Sequence, residues 1–397
     1  MLLLDNPIQH YAWGSRTSLA NLLGRPAASQ PEAELWIGAH PKAPSRLSDG
    51  RSLLDAIVAD PDGMLGADVP MRFGPRLPFL LKVLAVDAPL SLQAHPDREQ
   101  AQRGFAREEH AGLPLDAPTR TYKDDNHKPE LLCALTPFEA LSGFRPALRT
   151  AALFDLLGVT RVDTAALRSG RPDALEQAFT RLMTLPADER AQVIEDVLSR
   201  CERALMQVEP ELAGSVAWAL DLGRRYPGDI GAVASLLLNH LRLEPFEAVY
   251  LDAGRLHAYL SGTGVEIMAN SDNVLRGGLT PKHVDVPELL RVLRFDSPPA
   301  EPVPTTQLPS GEVRYESPAP EFRLSRLELG PERGFQGEVT GPEILLCVEG
   351  QASVELGPRA PAAPRCLRRG QACFLSASSG GYRLEGSARV FRARVGA

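Results

Sequence analysis

The sequence predicts a mainly β protein with a helical region inserted into it, and three changes of texture carry that expectation. Up to about residue 146 the chain reads as short apolar strands broken by frequent Pro and Gly. From about 150 to 225 the apolar residues fall at helical spacing. After about 230 the strand pattern returns and continues to the end. A chain of 397 residues is also too long for one ordinary core, so several packed units are expected. The expected division is residues 1–149, 150–228, 229–300 and 301–397. The first and third parts would form one β-domain, the second a helical domain and the fourth a small β-domain.

Taken in order, the clearest early strand is Pro78 to Val86, a nearly continuous apolar run of the kind buried on both faces. Lys82 lies in its middle, which is costly unless the ammonium reaches a polar cleft or snorkels to solvent. In the helical region Leu175, Phe179, Leu182 and Met183 share one face. So do Val193, Ile194, Val197, Leu198 and Cys201, followed by Val216 and Leu220. Val233 to Leu241 reads as one more apolar helix, and Glu247 to Asp252 as a strand. Ser297 to Pro304 is a proline-rich connector. Beyond it, Ile344 to Val348, a Glu349-Gly350 turn and the alternating Ala352, Val354 and Leu356 read as a hairpin. Leu367 to Leu375 repeats the theme, so the last part is expected to be a small β-sandwich or barrel.

Composition narrows the function. A formal net charge of −7 argues against a nucleic-acid binder, whose affinity rests on neutralising phosphates. It leaves room for a phosphorylated small molecule, which needs only a few local cations. The apolar start is cut off at Asp5 without a basic flank, so no signal peptide is expected, and no run of about 18 apolar residues predicts a membrane span. The five cysteines form no CxxC pair and read as reduced thiols of a cytoplasmic protein.

All eight histidines precede residue 284, so the C-terminal β-unit is expected to bind no catalytic metal. Gln93 and His95 stand two apart and would share one face of a strand. Glu130 follows Pro129 and opens the apolar run Leu131 to Leu135, where an unpaired carboxylate is costly to bury. His257 follows a Gly-containing turn between apolar strands. Each has an ordinary structural reading when taken singly. Together, two His, one Glu and one Gln suit Zn²⁺ with room for water or substrate. Two His and a carboxylate also describe a non-haem Fe(II) oxygenase site, and that alternative stays open on the residues alone.

The chain resembles the type I phosphomannose isomerases. The resemblance rests on ordered blocks: Ile8-Gln-His-Tyr-Ala-Trp-Gly14, Ala33-Glu-Leu-Trp-Ile-Gly-Ala-His-Pro41 and Leu77-Pro-Phe-Leu-Leu-Lys-Val-Leu84. It continues through Leu90-Ser-Leu-Gln-Ala-His-Pro96, Asn126-His-Lys-Pro-Glu130, Gly254-Arg-Leu-His-Ala-Tyr259 and the stretch from Gly264 to Gly278. It implies a pair of cupin-type (jelly-roll) β-barrels with a helical domain attached, and one zinc per chain held by Gln93, His95, Glu130 and His257. It also implies a catalytic Arg276 and a phosphorylated hexose substrate. The reaction would interconvert mannose 6-phosphate and fructose 6-phosphate by a proton shift through an enediol, within the carbohydrate metabolism that feeds GDP-mannose. A monomer is expected. The helical insert and C-terminal unit match the family only in texture, and residues 296–320 do not align.

Such a reaction needs an acid/base, an oxyanion stabiliser and a phosphate holder. Arg276, Lys82 and Lys128 are the cations that suit an enediolate or a phosphate. Lys128, Lys82, His127, Glu266 and Asp272 are the acid/base candidates, and the sequence leaves the choice among them open. His10, His40, His110, His240 and His283 read as structural. An isomerase of another phosphosugar and a sugar-binding cupin without turnover are the remaining alternatives.

Overall fold

The computed structural model describes residues 1–396 apart from Arg161, Ser297, Pro299, Ala300 and residues 358–362. Part of the expected connector from Ser297 to Pro304 therefore lies outside the described residues. The chain opens with a short strand, β1 (Leu2–Leu4), whose partner comes from the far end of the sequence.

The catalytic sheet is then laid down in ten strands. Before the helical region come β2 (Ile8–Gln9), β3 (Glu34–Ile37), β4 (Phe79–Val86), β5 (Leu92–Ala94), β6 (Glu130–Ala134) and β7 (Phe138–Phe144). After it come β8 (Leu238–Leu243), β9 (Ala248–Leu251), β10 (His257–Ala269) and β11 (Leu275–Gly278). The long β10 belongs to two halves of this sheet. Its start pairs with β5 and β7, whereas from Gly262 onward it lies between β4 and β6. The register shifts between Tyr259 and Ser261, where the strand bends from one half into the other. Gly262 permits the bend. Its φ is +121°, and a Cβ there would stand 2.8 Å from the carbonyl oxygen of Pro137.

The doubly buried run of β4 now has a cause. Phe79, Leu81, Val83 and Ala85 face outward and pack against Phe322, Leu324, Ile344, Leu346, Phe374 and Phe391 of the C-terminal sheet. Each large side chain buried this way contributes about 1.5–3 kcal/mol. Leu80, Lys82 and Leu84 point the other way, into the catalytic interior. On the other half of the sheet, Leu92, Ala94, Leu141, Leu256, Ala258 and Leu260 turn outward to meet the helices. Both outer faces are thus covered within the chain.

The helical region contains helices Ala147–Leu156, Thr164–Arg168, Ala174–Met183, Ala187–Ala204 and Pro210–Arg225. The residues expected to form their stripes, from Leu175 to Leu220, are buried as predicted, with Leu198 packed at the margin. Val233 to Leu241 is not a helix. One turn (Gly231–Ala234) and a 3₁₀ segment (Ser235–Leu237) pass directly into β8. A run buried on every side carries no period to tell helix from strand. Here pairing with β7 decides, reinforced by the Asn239 amide, which donates to the carbonyls of Gly143 and Phe144 at 3.1 and 3.0 Å.

The C-terminal sheet contains β12 (Thr305–Gln307), β13 (Val313–Tyr315), β14 (Arg323–Leu329), β15 (Phe335–Glu338) and β16 (Glu343–Leu356), then β17 (Arg365–Arg368), β18 (Ala372–Leu375) and β19 (Gly381–Arg394). β1 completes it by pairing with β18. The hairpin expected at Glu349-Gly350 is instead a bulge within one continuous strand. β19 runs beside β16 for its whole length, and the register slips between Cys347 and Glu349. Gly350 has φ +68° and would place a Cβ 2.0 Å from the Ser387 carbonyl oxygen. Turns and bulges draw on the same positive-φ glycine, so the dipeptide alone does not separate them. The residues from Leu367 to Leu375 follow the bend, with β17 and β18 both pairing with β16.

Candidate functional site

The two halves of the catalytic sheet bring their inner faces together. In one, Trp36, Lys82 and Glu266 stand side by side across β3, β4 and β10, and Glu130 pairs with Met268 two residues further along. In the other, Gln93 lies between His257 on β10 and Arg276 on β11. Direct cross-strand partners share a face, so Gln93, His257 and Arg276 project to the same side. The strand carrying Gln93 ends at Ala94, one residue short of the expected run, because Pro96 has no N–H for a ladder. His95 is nevertheless buried, with its carbonyl oxygen held by the Gly254 amide at 2.8 Å.

His95, Glu130 and His257 converge, with one ligand atom of each lying within 4.8 Å of the others. The Nε2 atoms of His95 and His257 lie 3.5 and 3.6 Å from Oε2 of Glu130. Donor atoms bound to one tetrahedral zinc at about 2.0–2.1 Å stand roughly 3.3–3.5 Å apart. Each Nδ1 faces a backbone carbonyl, Asn273 at 2.7 Å for His95 and Arg255 at 2.9 Å for His257. A carbonyl only accepts, so Nδ1 carries the proton and Nε2 keeps its lone pair. Both Nε2 atoms are buried without a partner, which is costly in a protein interior and is what a metal would resolve. Burial also drives the imidazoles toward the neutral, ligating form, His257 down to about 4. Burial alone would raise Glu130. The Lys128 ammonium, 2.9 Å from its Oε1, and the two imidazoles outweigh that and hold it ionised. The donor set fits zinc.

Beside this centre lies a buried chain of charges. Lys82 Nζ is 3.3 Å from Glu34 and 3.6 Å from Glu266, and lies 5.1 Å from the Trp36 ring centroid. Burial opposes its charge, but Glu34, Glu266 and Glu130 together keep it cationic. Glu266 also accepts from the Tyr259 hydroxyl at 2.9 Å. Burial first, and then the charge of Glu130, push its carboxyl up to about 7. Trp36 donates its indole N–H to Glu34, completing the line.

Arg276 is half-buried and, among the described residues, its side chain has no ion pair or hydrogen bond. Its charge reaches Lys123 and Lys282, so three cations share this end of the site. His283 lines the same cleft. Asn273 joins the motif blocks. It accepts from Lys123 N at 2.7 Å, donates to the Asp124 and Asn126 carbonyls at 2.8 and 2.9 Å, and orients His95 through its own carbonyl.

Two acid/base candidates are engaged with other partners. His127 turns toward the C-terminal unit, 2.7 Å from Glu321 and 2.9 Å from Arg98. Asp272 pairs with Lys42 at 2.9 Å and accepts nothing from the metal cluster. Sequence reasoning missed Glu34, Trp36, Tyr259, Lys123, Lys282 and the linking role of Asn273. Strand register brings Trp36 and Glu34 to Lys82, and Tyr259 shares its strand with Glu266.

The comparisons with known proteins agree with this geometry. The signature of the phosphomannose isomerase type I catalytic domain matches residues 1–147. Mannose-6-phosphate isomerase of Escherichia coli is 38% identical, with 98% of this chain and 98% of that protein covered. The chain belongs to the type I phosphomannose isomerase family. The Homo sapiens member is 34% identical over 94% of this chain and 93% of its own. Among solved members, a zinc-bound mannose 6-phosphate isomerase superposes with a TM-score of 0.90 at 37% identity, covering 100% of this chain and 99% of the other. A lysine-to-alanine variant of phosphomannose isomerase from Salmonella typhimurium gives the same TM-score at 36% identity, with both chains fully covered. The cupin-type fold expected of this family is the one observed.

Proposed function

We propose that the protein is a zinc-dependent isomerase of mannose 6-phosphate and fructose 6-phosphate, with its chemistry set inside the catalytic sheet. The observation that carries this reading is the pair of orphaned Nε2 atoms facing Glu130, beside an unpaired Arg276. Gln93, His95, Glu130 and His257 would hold the metal. Bound there, zinc would supply a Lewis acid for the sugar oxygens.

The remaining work falls to the chain's own side chains. Arg276, Lys123 and Lys282 form the cationic end that attracts the phosphate, and Arg276 also reaches developing oxyanion charge. Glu266 takes the proton from C2 of the aldose and returns it to C1, as its carboxyl is poised near neutrality by burial. Tyr259 fixes one carboxylate oxygen, while Lys82, itself anchored by Glu34, steadies the other. Lys128, paired with Glu130, carries the hydroxyl proton between O2 and O1 in this reading. His127 and Asp272 have no part in this proposal, because each is committed to another charged partner, Glu321 and Lys42.

Five unpaired cysteines suit a cytoplasmic enzyme. Both outer faces of the catalytic sheet are covered from within, which suits a monomer. No helix among the described residues is long and apolar enough to cross a membrane. No observation favours an Fe(II) oxygenase or a binding protein without turnover.

A coupled assay tests the proposal. Mannose 6-phosphate should be converted by the zinc-loaded protein, lost on chelation and recovered with zinc. Glu266→Gln should keep zinc and substrate affinity while turnover falls about a hundred- to ten-thousand-fold. Undiminished turnover after complete zinc removal would refute the metal's role, and an unimpaired Glu266→Gln would refute the base.

A further inference from the structure

The C-terminal sheet sets two like charges directly against each other, away from the catalytic interior. Arg323 on β14 and Arg394 on β19 are cross-strand partners, so their side chains leave the same face. Among the described residues the Arg323 side chain has no ion pair within 4 Å and no hydrogen bond. Like charges in this position destabilise a sheet unless something lies between them.

Among the described residues the nearby carboxylates already have partners: Glu316, which also feels the charge of Arg323, pairs with Arg314 at 2.9 Å. Glu343 stands on the other side of Arg394 in the same row. Both its oxygens are claimed by Arg392, at 2.6 and 2.7 Å, and one also accepts from the Tyr382 hydroxyl at 2.9 Å. Glu312 gives one oxygen to Arg392 at 3.1 Å and the other to the Ser325 hydroxyl. The latter oxygen lies 3.5 Å from Arg394. Arg394 Nε is buried with no acceptor at all. Among the described residues, four guanidiniums (Arg314, Arg323, Arg392 and Arg394) meet three carboxylates (Glu312, Glu316 and Glu343), which leaves one positive charge over. The surplus borders a cleft whose far wall is the helix Asp68–Phe73. Arg72 of that helix donates to the carbonyls of Gly396 and Pro320 at 3.2 and 3.3 Å. Asp68 lies on the wall but is exposed, and forms no ion pair within 4 Å among the described residues.

We propose that this cleft is a second anion site, separate from the substrate's, for a tetrahedral oxyanion: free phosphate or the phosphate group of a small ester. A guanidinium fork matches two oxygens of such a group, so one anion bonds both arginines and turns their repulsion into a bridge. The cleft lies between the C-terminal sheet and a helix that packs beside the catalytic sheet, so a bound anion ties the two together. Ligand occupancy would then be felt as added stability of the whole chain.

The test uses zinc-loaded protein carrying Arg276→Ala, which weakens phosphate binding at the substrate end, alone and combined with Arg323→Gln. Inorganic phosphate is titrated calorimetrically, and thermal unfolding is followed in phosphate and in sodium chloride of equal ionic strength. Phosphate should raise the unfolding midpoint well beyond chloride, and Arg323→Gln should weaken phosphate binding about tenfold or more. Without phosphate, Arg323→Gln should unfold no earlier than its parent, because it removes a repulsion. Glucose 6-phosphate run alongside identifies the source: tighter binding than free phosphate assigns an ester, weaker binding the inorganic ion. Chloride matching phosphate, or phosphate binding indifferent to Arg323→Gln, would overturn the site. So would a phosphate-free midpoint lowered by that substitution, since Arg323 would then be held by the fold itself.

Discussion

Replacing His257 with alanine should empty the metal site and abolish turnover together. The imidazole has one backbone partner through Nδ1, and its Nε2 lies 3.6 Å from Glu130 beside the ring of His95. Its removal leaves a buried Glu130 and a buried His95 without their shared neighbour. Zinc measured after purification without added metal should fall from one per chain to a small fraction. Activity should fall at least about a thousandfold, since losing a ligand costs the site both its metal and its Lewis acid. The fold should persist, because β10 is held along most of its length by β4 and β6 rather than by His257. A variant with full zinc content would remove His257 from the ligand set.

The second large effect separates charge from metal. Arg276→Ala should keep one zinc per chain and unfold at nearly the wild-type temperature, yet lose about a hundred- to a thousandfold in turnover. The reason is visible in its surroundings: the guanidinium has no carboxylate to abandon, and burial alone depresses its pKa. A half-buried arginine without a partner contributes little to stability, so its presence needs another cause. Should Arg276→Ala instead lose zinc, the residue would belong to the metal's own surroundings.

Much of the site was legible in the sequence because strands convert spacing into facing. The pair Gln93 and His95, the Pro129-Glu130 strand start and His257 after Gly254 each sit where a strand begins or ends. Which face those side chains take still depends on register, and the row of His257, Gln93 and Arg276 turns these three to one side. Lys82 was conspicuous for a physical reason as well, since an ammonium in an apolar run must have partners. The identity of those partners was hidden. Glu34 and Glu266 lie far from Lys82 in the chain and meet it only through the pairing of β3, β4 and β10. The same blindness to register explains Glu349-Gly350, where the chain keeps its partner β19 through a bulge instead of turning back. In Val233 to Leu241 the failure is of another kind: burial on all sides erases the periodicity on which the expectation rested. β1 was unreadable for both reasons, being three leucines whose partner lies some 370 residues away in the sequence.

X-ray absorption at the zinc edge of the loaded, substrate-free protein tests the central claim most directly. The account predicts a first shell of nitrogen and oxygen only, with two imidazole signatures that drop to one in His95→Ala protein that has been reloaded with zinc. A sulfur scatterer in that shell, or an imidazole count indifferent to His95, would place the metal somewhere other than between His95, Glu130 and His257.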